Sequence, residues 1–183
     1  MTDPELVRRM AKGDEEAFVA LYRRRQGGVY RFALQMSGSP ALAEEATQEV
    51  FLTLVRDAGR YDPDRGTVAA YLYGVARNCV LRMTQEDRTY VALEDEAADL
   101  PAPAEDPLAD LTREQRLDAL RRAVLSLPAA YREVVVLCDL QEIEYAEAAA
   151  ALDCPVGTVR SRLHRARALL AEKLRGNPVR CVV

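Results

Sequence analysis

Residues 153–170 read DCPVGTVRSRLHRARALL. After Pro155 they carry Arg160, Arg162, Arg165 and Arg167 and no acidic residue, in a chain whose formal net charge is -4. Advancing about 100° per residue, as an α-helix does, puts Val159, Leu163, Ala166 and Leu170 on one apolar stripe. Arg160, Ser161, His164 and Arg165 fall away from that stripe, and Arg162 and Arg167 flank it. Pro155 suits the first position of such a helix, where an N–H would have no partner anyway. The short helical stretch YAEAAAAL stands just before, separated by a turn at Asp153 and Cys154. Two helices joined so tightly make a helix-turn-helix candidate. In such a motif the first residues of the second helix reach base edges in the major groove. Arg can grip guanine with two bonds and Ser can serve several bases. The bland alternative is a solvated basic face, which charge alone does not exclude.

The acidity lies elsewhere. Residues 1–88 hold 13 basic and 13 acidic side chains, residues 89–112 hold none and seven, and residues 113–183 hold 12 and nine. The middle stretch also contains Pro101, Pro103 and Pro107, which exclude a continuous helix. We therefore expect an all-α protein of two small helical domains joined by an acidic, proline-containing linker. The expected divisions are 1–88, the linker 89–112, 113–176, and a tail at 177–183. A net acidity seated in a linker is no argument against nucleic acid.

The first half reads as helices interrupted at Gly13, at Gly27 and Gly28, and from Gly38 to Pro40. The helix ALAEEATQEVFLTLVRDAG follows, then the turn-rich loop RYDPDRG. Thr67 leads into VAAYLYGVARNCVLRM, whose buried stripe is Leu72, Val75, Ala76, Cys79 and Met83, with Arg77, Asn78 and Arg82 outside it. In the second half, TREQRLDALRRAVLSL should turn Leu117, Leu120, Val124 and Leu127 inward, and Pro128 ends it.

Several classes of function are disfavoured. No apolar run approaches the roughly 18–20 residues that span a bilayer, and the N-terminus lacks a signal-peptide core, so a cytoplasmic location without membrane insertion is expected. Cys79, Cys138, Cys154 and Cys181 show no metal-ligand spacing and are expected as reduced thiols. There is one histidine, no nucleophile–base set and no phosphate-binding glycine loop. No enzyme, catalytic residue, metal or cofactor is expected.

Two stretches resemble one family. LPAAYREVVVLCDLQEIEYAEAAAALDCPVGTVRSRLHRARALLAEKL is similar to region 4 of the extracytoplasmic-function (ECF) sigma factors, members of the sigma-70 family. AEEATQEVFLTLVRDAGRYDPDRGTVAAYLYGVARN is similar to region 2. The resemblance implies a bacterial transcription-initiation factor that binds core RNA polymerase and promoter DNA. Region 4 would read the -35 element through Arg160, Ser161, His164 and Arg165, the set the helical wheel selects. Region 2 would open the -10 element and hold a flipped base, with Asn78, Tyr61, Asp62, Arg65, Thr67 and Arg82 as the matching positions; extruding a base costs a few kcal/mol and needs a pocket. Tyr61, Tyr71 and Tyr73 could stack on bases, although tyrosines at helical spacing are more often core.

Polymerase contact would fall on Glu45, Gln48 and Glu49, facing the β′ clamp helices, and the apolar YREVVVLCDL helix would help meet the β flap. An anti-sigma factor is the regulator that the resemblance implies. A stand-alone helix-turn-helix regulator is the competing reading, and the first half argues against it. The sequence departs from the family in having no Trp, with Tyr71 at a position where Trp is frequent. Glu144 replaces the usual capping Ser, and Ala148 replaces a larger aliphatic residue.

Overall fold

The computed structural model describes residues 1–84 and 112–175, and the helices among them account for the architecture. The expected tail and all of the expected linker but Thr112, which instead caps the helix that follows, lie outside the described residues. The order is α1 (Asp3–Met10), α2 (Glu15–Ser37), α3 (Pro40–Arg56), two 3-10 turns (Ala58–Arg60 and Pro63–Arg65) and α4 (Val68–Thr84). Then come α5 (Arg113–Leu125), α6 (Ala129–Val135) running into a π turn (Val136–Leu140), α7 (Tyr145–Leu152) and α8 (Val156–Arg175). No strand occurs among the described residues.

Local chemistry sets most helix ends. The Asp14 carboxylate accepts from the Ala17 N–H at 3.0 Å and starts α2. Gly38 ends it in the left-handed region at φ 71°, a conformation that costs glycine little. Ser39 caps α3 and Pro40 fills its first turn. Thr112 and Gln115 cap α5 reciprocally, the arrangement that satisfies two orphan donors at once. Glu144 starts α7 with no side-chain cap bond.

The expected break at Gly27 and Gly28 is not there: α2 runs unbroken through both. The reason is packing. A Cβ on Gly28 would sit 2.9 Å from the Tyr73 Oη of α4, so the missing side chain is what lets α2 and α4 approach. Tyr73 is buried and packs on Phe32, 5.4 Å between ring centroids. Leu21, Phe32, Met36, Val50, Leu54, Leu72 and Ala76 form the centre of this first bundle. Within the expected α4 stripe, Leu72, Ala76 and Cys79 are buried, whereas Val75 and Met83 are half-buried. At the N-terminus, Asp3 binds Arg24 and Arg25 at 2.5 Å each and straps α1 to α2.

The second bundle is α5 to α8. Val124 and Leu127 turn inward as expected, and Leu120 is half-buried. Leu117 does not turn inward: it is 44% exposed, because Ala119 and Ala123 supply the close face of α5 and Leu117 lies at its open end. The two bundles pack against each other, α4 meeting α7 and α2 meeting α5.

Candidate nucleic-acid interface

On α8, Val159, Leu163, Ala166 and Leu170 are all buried, and Arg160, Ser161, His164 and Arg165 are all exposed. Burying a Val or Leu side chain contributes roughly 1.5–3 kcal/mol, so the stripe fixes the rotation of the helix and thereby aims the other four outward. Pro155 stands one position before α8, and its carbonyl accepts from Thr158 and Val159. Asp153 makes the turn in the left-handed region at φ 49°, which Asp tolerates better than most residues. Arg160 lies over the Tyr145 ring at 5.9 Å. Arg167 is tied to Asp139 by two bonds of 3.1 and 2.6 Å, and that carboxylate raises its already high pKa. Arg167 thus serves to join α8 to the π turn.

In the first bundle, Tyr61, Asp62, Arg65, Thr67 and Asn78 line one cleft of about 440 Å³. The intervening loop is shaped by its own bonds. The Tyr61 hydroxyl donates to the Gly66 carbonyl at 3.1 Å, and Asp62 accepts from the Asp64 N–H at 3.0 Å. Thr67 caps α4 by accepting from the Ala70 N–H at 3.1 Å. Asn78, which lines the cleft, accepts at Oδ1 from the Arg77 guanidinium at 3.1 Å. Tyr71 also lines the cleft and meets Tyr61 edge-on, 6.0 Å between centroids. Burial raises the pKa of both phenols, so both remain neutral hydroxyls at physiological pH.

Arg82 is not in the cleft. It is exposed and reaches Glu49 of α3 at 3.9 Å. Tyr73, in the core, cannot stack on a base. Arg60 and Val75 also line the cleft. Arg60 adjoins Tyr61 and offered a charge signal, whereas the spacing had placed Val75 in the buried stripe of α4.

On α3, Glu45 and Gln48 are exposed and Glu49 is half-buried. The same face carries Leu52, 63% exposed, and Val55, 54% exposed, which sequence reasoning missed. Their signal was an apolar residue on the polar side of the helical wheel. By contrast, every residue of α6 from Ala129 to Val135 is buried, and within residues 131–140, the stretch expected to help meet the β flap, only Cys138, Asp139 and Leu140 are half-buried or exposed.

Burial raises the thiols of Cys79, Cys138 and Cys154, with Cys138 pushed up to about 11. No helix among the described residues is long and apolar enough to cross a membrane.

A helical bundle with a polar and aromatic cleft, followed by a helix-turn-helix with an exposed basic reading face, defines a two-part DNA-binding protein. Family models agree: "Sigma-70 region 2" matches residues 21–89 and "Sigma-70, region 4" matches residues 117–170. ECF RNA polymerase sigma factor SigE of Mycolicibacterium smegmatis is 38% identical over 170 residues, 90% of this chain and 65% of that protein. SigM of Mycobacterium tuberculosis is 35% identical over 176 residues, 94% of this chain and 85% of that one. Among solved structures, CnrH in complex with the cytosolic domain of CnrY superposes with a TM-score of 0.73 at 23% identity, covering 96% of this chain and 98% of that one. RpoE of Bartonella quintana, bound to the anti-sigma factor NepR, gives 0.64 at 23% identity, covering 86% and 96%. The chain belongs to the sigma-70 family, in its ECF branch.

Proposed function

We propose that this chain binds core RNA polymerase and directs it to promoters, opening the -10 element in the cleft of the first bundle and reading the -35 element with α8. It does so as a cytoplasmic initiation factor with no catalytic residue of its own, the phosphodiester chemistry belonging to the polymerase. The observation that carries this reading is the gathering of Tyr61, Asp62, Arg65, Thr67 and Asn78 around one cleft, from a span of 18 residues that includes a loop and α4. Asn78 offers amide donors to a flipped base, Tyr61 and Tyr71 offer ring faces for stacking, and Arg65 offers charge to the backbone. Arg82, outside the cleft, suits a phosphate rather than a base. On α8, Arg160 and Arg165 suit guanine edges or phosphates, and Ser161 and His164 complete the reading face.

Glu45, Gln48 and Glu49 meet the β′ clamp helices, with Leu52 and Val55 as the apolar centre of that contact. An apolar centre within a polar rim is the usual anatomy of a specific interface. The α6 segment helps meet the β flap. The working division of the chain is 1–88, 89–112, 113–176 and 177–183. An anti-sigma factor is the expected regulator, as NepR is for its RpoE partner by name.

The test is selection of promoters from a random library with this chain plus core polymerase, followed by Asn78→Ala on a selected promoter. Duplex binding should persist and permanganate reactivity at the start site should fall. Full reactivity would remove Asn78 from the opening step, and no stable complex with core polymerase would defeat the whole reading.

A further inference from the structure

The loop that walls the cleft of the first bundle has a second face. Tyr61, Gly66 and Thr67 line the cleft, and the same three residues line another hollow, of about 520 Å³, on the other side of the loop. Asp3 and Pro4 of α1 and Arg25 of α2 form the far side of that hollow. At these three residues the loop is a thin wall between two open spaces. α1 also touches the 3-10 turn Ala58–Arg60, which leads into Tyr61.

One carboxylate fixes the first turn of α1. Asp3 is 8% exposed, and aspartate is almost never buried unless it is paired. Both of its oxygens are engaged. Oδ1 accepts from Arg24 Nη1 at 2.5 Å, and Oδ2 accepts from Arg25 Nε and Nη2, each at 2.5 Å. Leu6 and Val7 anchor α1 by burial, but they lie beyond the turn that backs the loop. Burial, and after it the Asp3 carboxylate, raises the pKa of the Tyr61 phenol, so the charge of Asp3 is felt at the cleft wall.

We propose that Asp3 is a positioning residue for the -10 cleft: by clasping Arg24 and Arg25 it holds the first turn of α1 behind the loop, sets the width of the cleft, and so governs which flipped base is accepted. With both oxygens engaged inside the bundle, it acts through the loop and not on DNA. A binding site discriminates only while its parts are held to within about 0.5 Å. A thin wall with space behind it keeps that tolerance only if the far side of the space is fixed. The part in base selection rests on the site reading given above, whereas the brace itself does not.

The test uses the full chain and Asp3→Asn, which keeps the shape of the side chain and removes its charge, with Asp3→Glu as the conservative control. Hydrogen exchange followed by mass spectrometry reads the brace in the free chain. Asp3→Asn should exchange severalfold faster over residues 57–67, while α3 and α8 match wild type. Holoenzyme assembled with core RNA polymerase reads the consequence, as open-complex formation on a selected promoter relative to the same promoter with one base replaced. A single base is worth about 5- to 150-fold in such a ratio. For replacement of the flipped -10 base, Asp3→Asn should lower the ratio about threefold or more, and for replacement in the -35 element it should leave the ratio unchanged. Asp3→Glu should keep most of the -10 ratio. The proposal needs both faster exchange and a lower -10 ratio, so either one alone overturns it. An equal fall at both elements, the mark of a general loss of structure, overturns it too. If Asp3→Asn loses helicity by circular dichroism, Arg25→Gln, which removes the fork from Oδ2, decides by the same two readings. A wild-type holoenzyme with no selectivity at the -10 position would instead defeat the site reading, and hydrogen exchange would still decide the brace.

Discussion

Two adjacent glycines in α2 should respond to alanine with opposite signs. Gly27 is exposed, and a Cβ there meets only the mobile end of Arg31, at 3.4 Å. Gly27→Ala should therefore gain the ordinary helix-propensity difference, about 0.8–1 kcal/mol. At Gly28 the same methyl would lie 2.9 Å from Tyr73 Oη, and Tyr73 is held against Phe32. Overpacking costs roughly 1–3 kcal/mol, so Gly28→Ala should be neutral to about 2 kcal/mol destabilising after the helix gain. The next atom, Tyr73 Cζ, is at 3.9 Å, an ordinary contact. Removing the hydroxyl with Tyr73→Phe should therefore restore the gain, making Gly28→Ala stabilising in that background. The assay is thermal unfolding followed by circular dichroism, where 1 kcal/mol moves Tm by about 2–4 °C in a chain of this size. The four chains form a double-mutant cycle with an expected coupling of about 1–3 kcal/mol. Equal stabilisation by Gly27→Ala and Gly28→Ala, or no coupling to Tyr73→Phe, would refute the packing explanation.

Other outcomes follow from single residues. Arg160→Ala should cost about 1–3 kcal/mol at a selected promoter if it reads a base, by fluorescence titration; small equal losses on every sequence would mark a phosphate contact, and binding should weaken steeply with salt. Leu163→Ala removes a 2% exposed anchor of α8 and should destabilise the second bundle by about 2–5 kcal/mol in chemical unfolding. Leu52→Asp should weaken core-polymerase binding in a pull-down while leaving the unfolding midpoint nearly unchanged, because Leu52 is exposed. Cys138, with its thiol pushed up to about 11, should alkylate slowly at pH 8, where only about 0.1% is thiolate. The rate should rise about tenfold per pH unit until the pH reaches that value, as read by peptide mass spectrometry.

The parts of the fold written in local sequence were legible: the break from Gly38 to Pro40 separates α2 from α3, and the α8 stripe is complete in four residues. Glycine was ambiguous because it both breaks helices and admits close neighbours. The neighbour that decides between these at Gly28 lies on another helix, 45 positions away. Leu117 fitted the apolar period of α5, yet period alone does not say how far the packed surface extends along a helix. The cleft was legible as a motif, but its wall of Ala150 and Asp153 was not. Nor was the Arg77–Glu133 pair of α4 and α6, since contacts between bundles leave no trace in spacing.

The Arg82–Glu49 ion pair joins a residue assigned to DNA with one assigned to polymerase. Where polymerase takes Glu49 and DNA takes Arg82, as the proposed function has it, each ligand that breaks the pair releases the other residue to its own partner, and the two ligands would then help each other by one common factor. An exposed pair at this separation is worth at most about 1 kcal/mol, which bounds the factor near fivefold. It is a small thermodynamic cooperativity, and it arises with no change of shape.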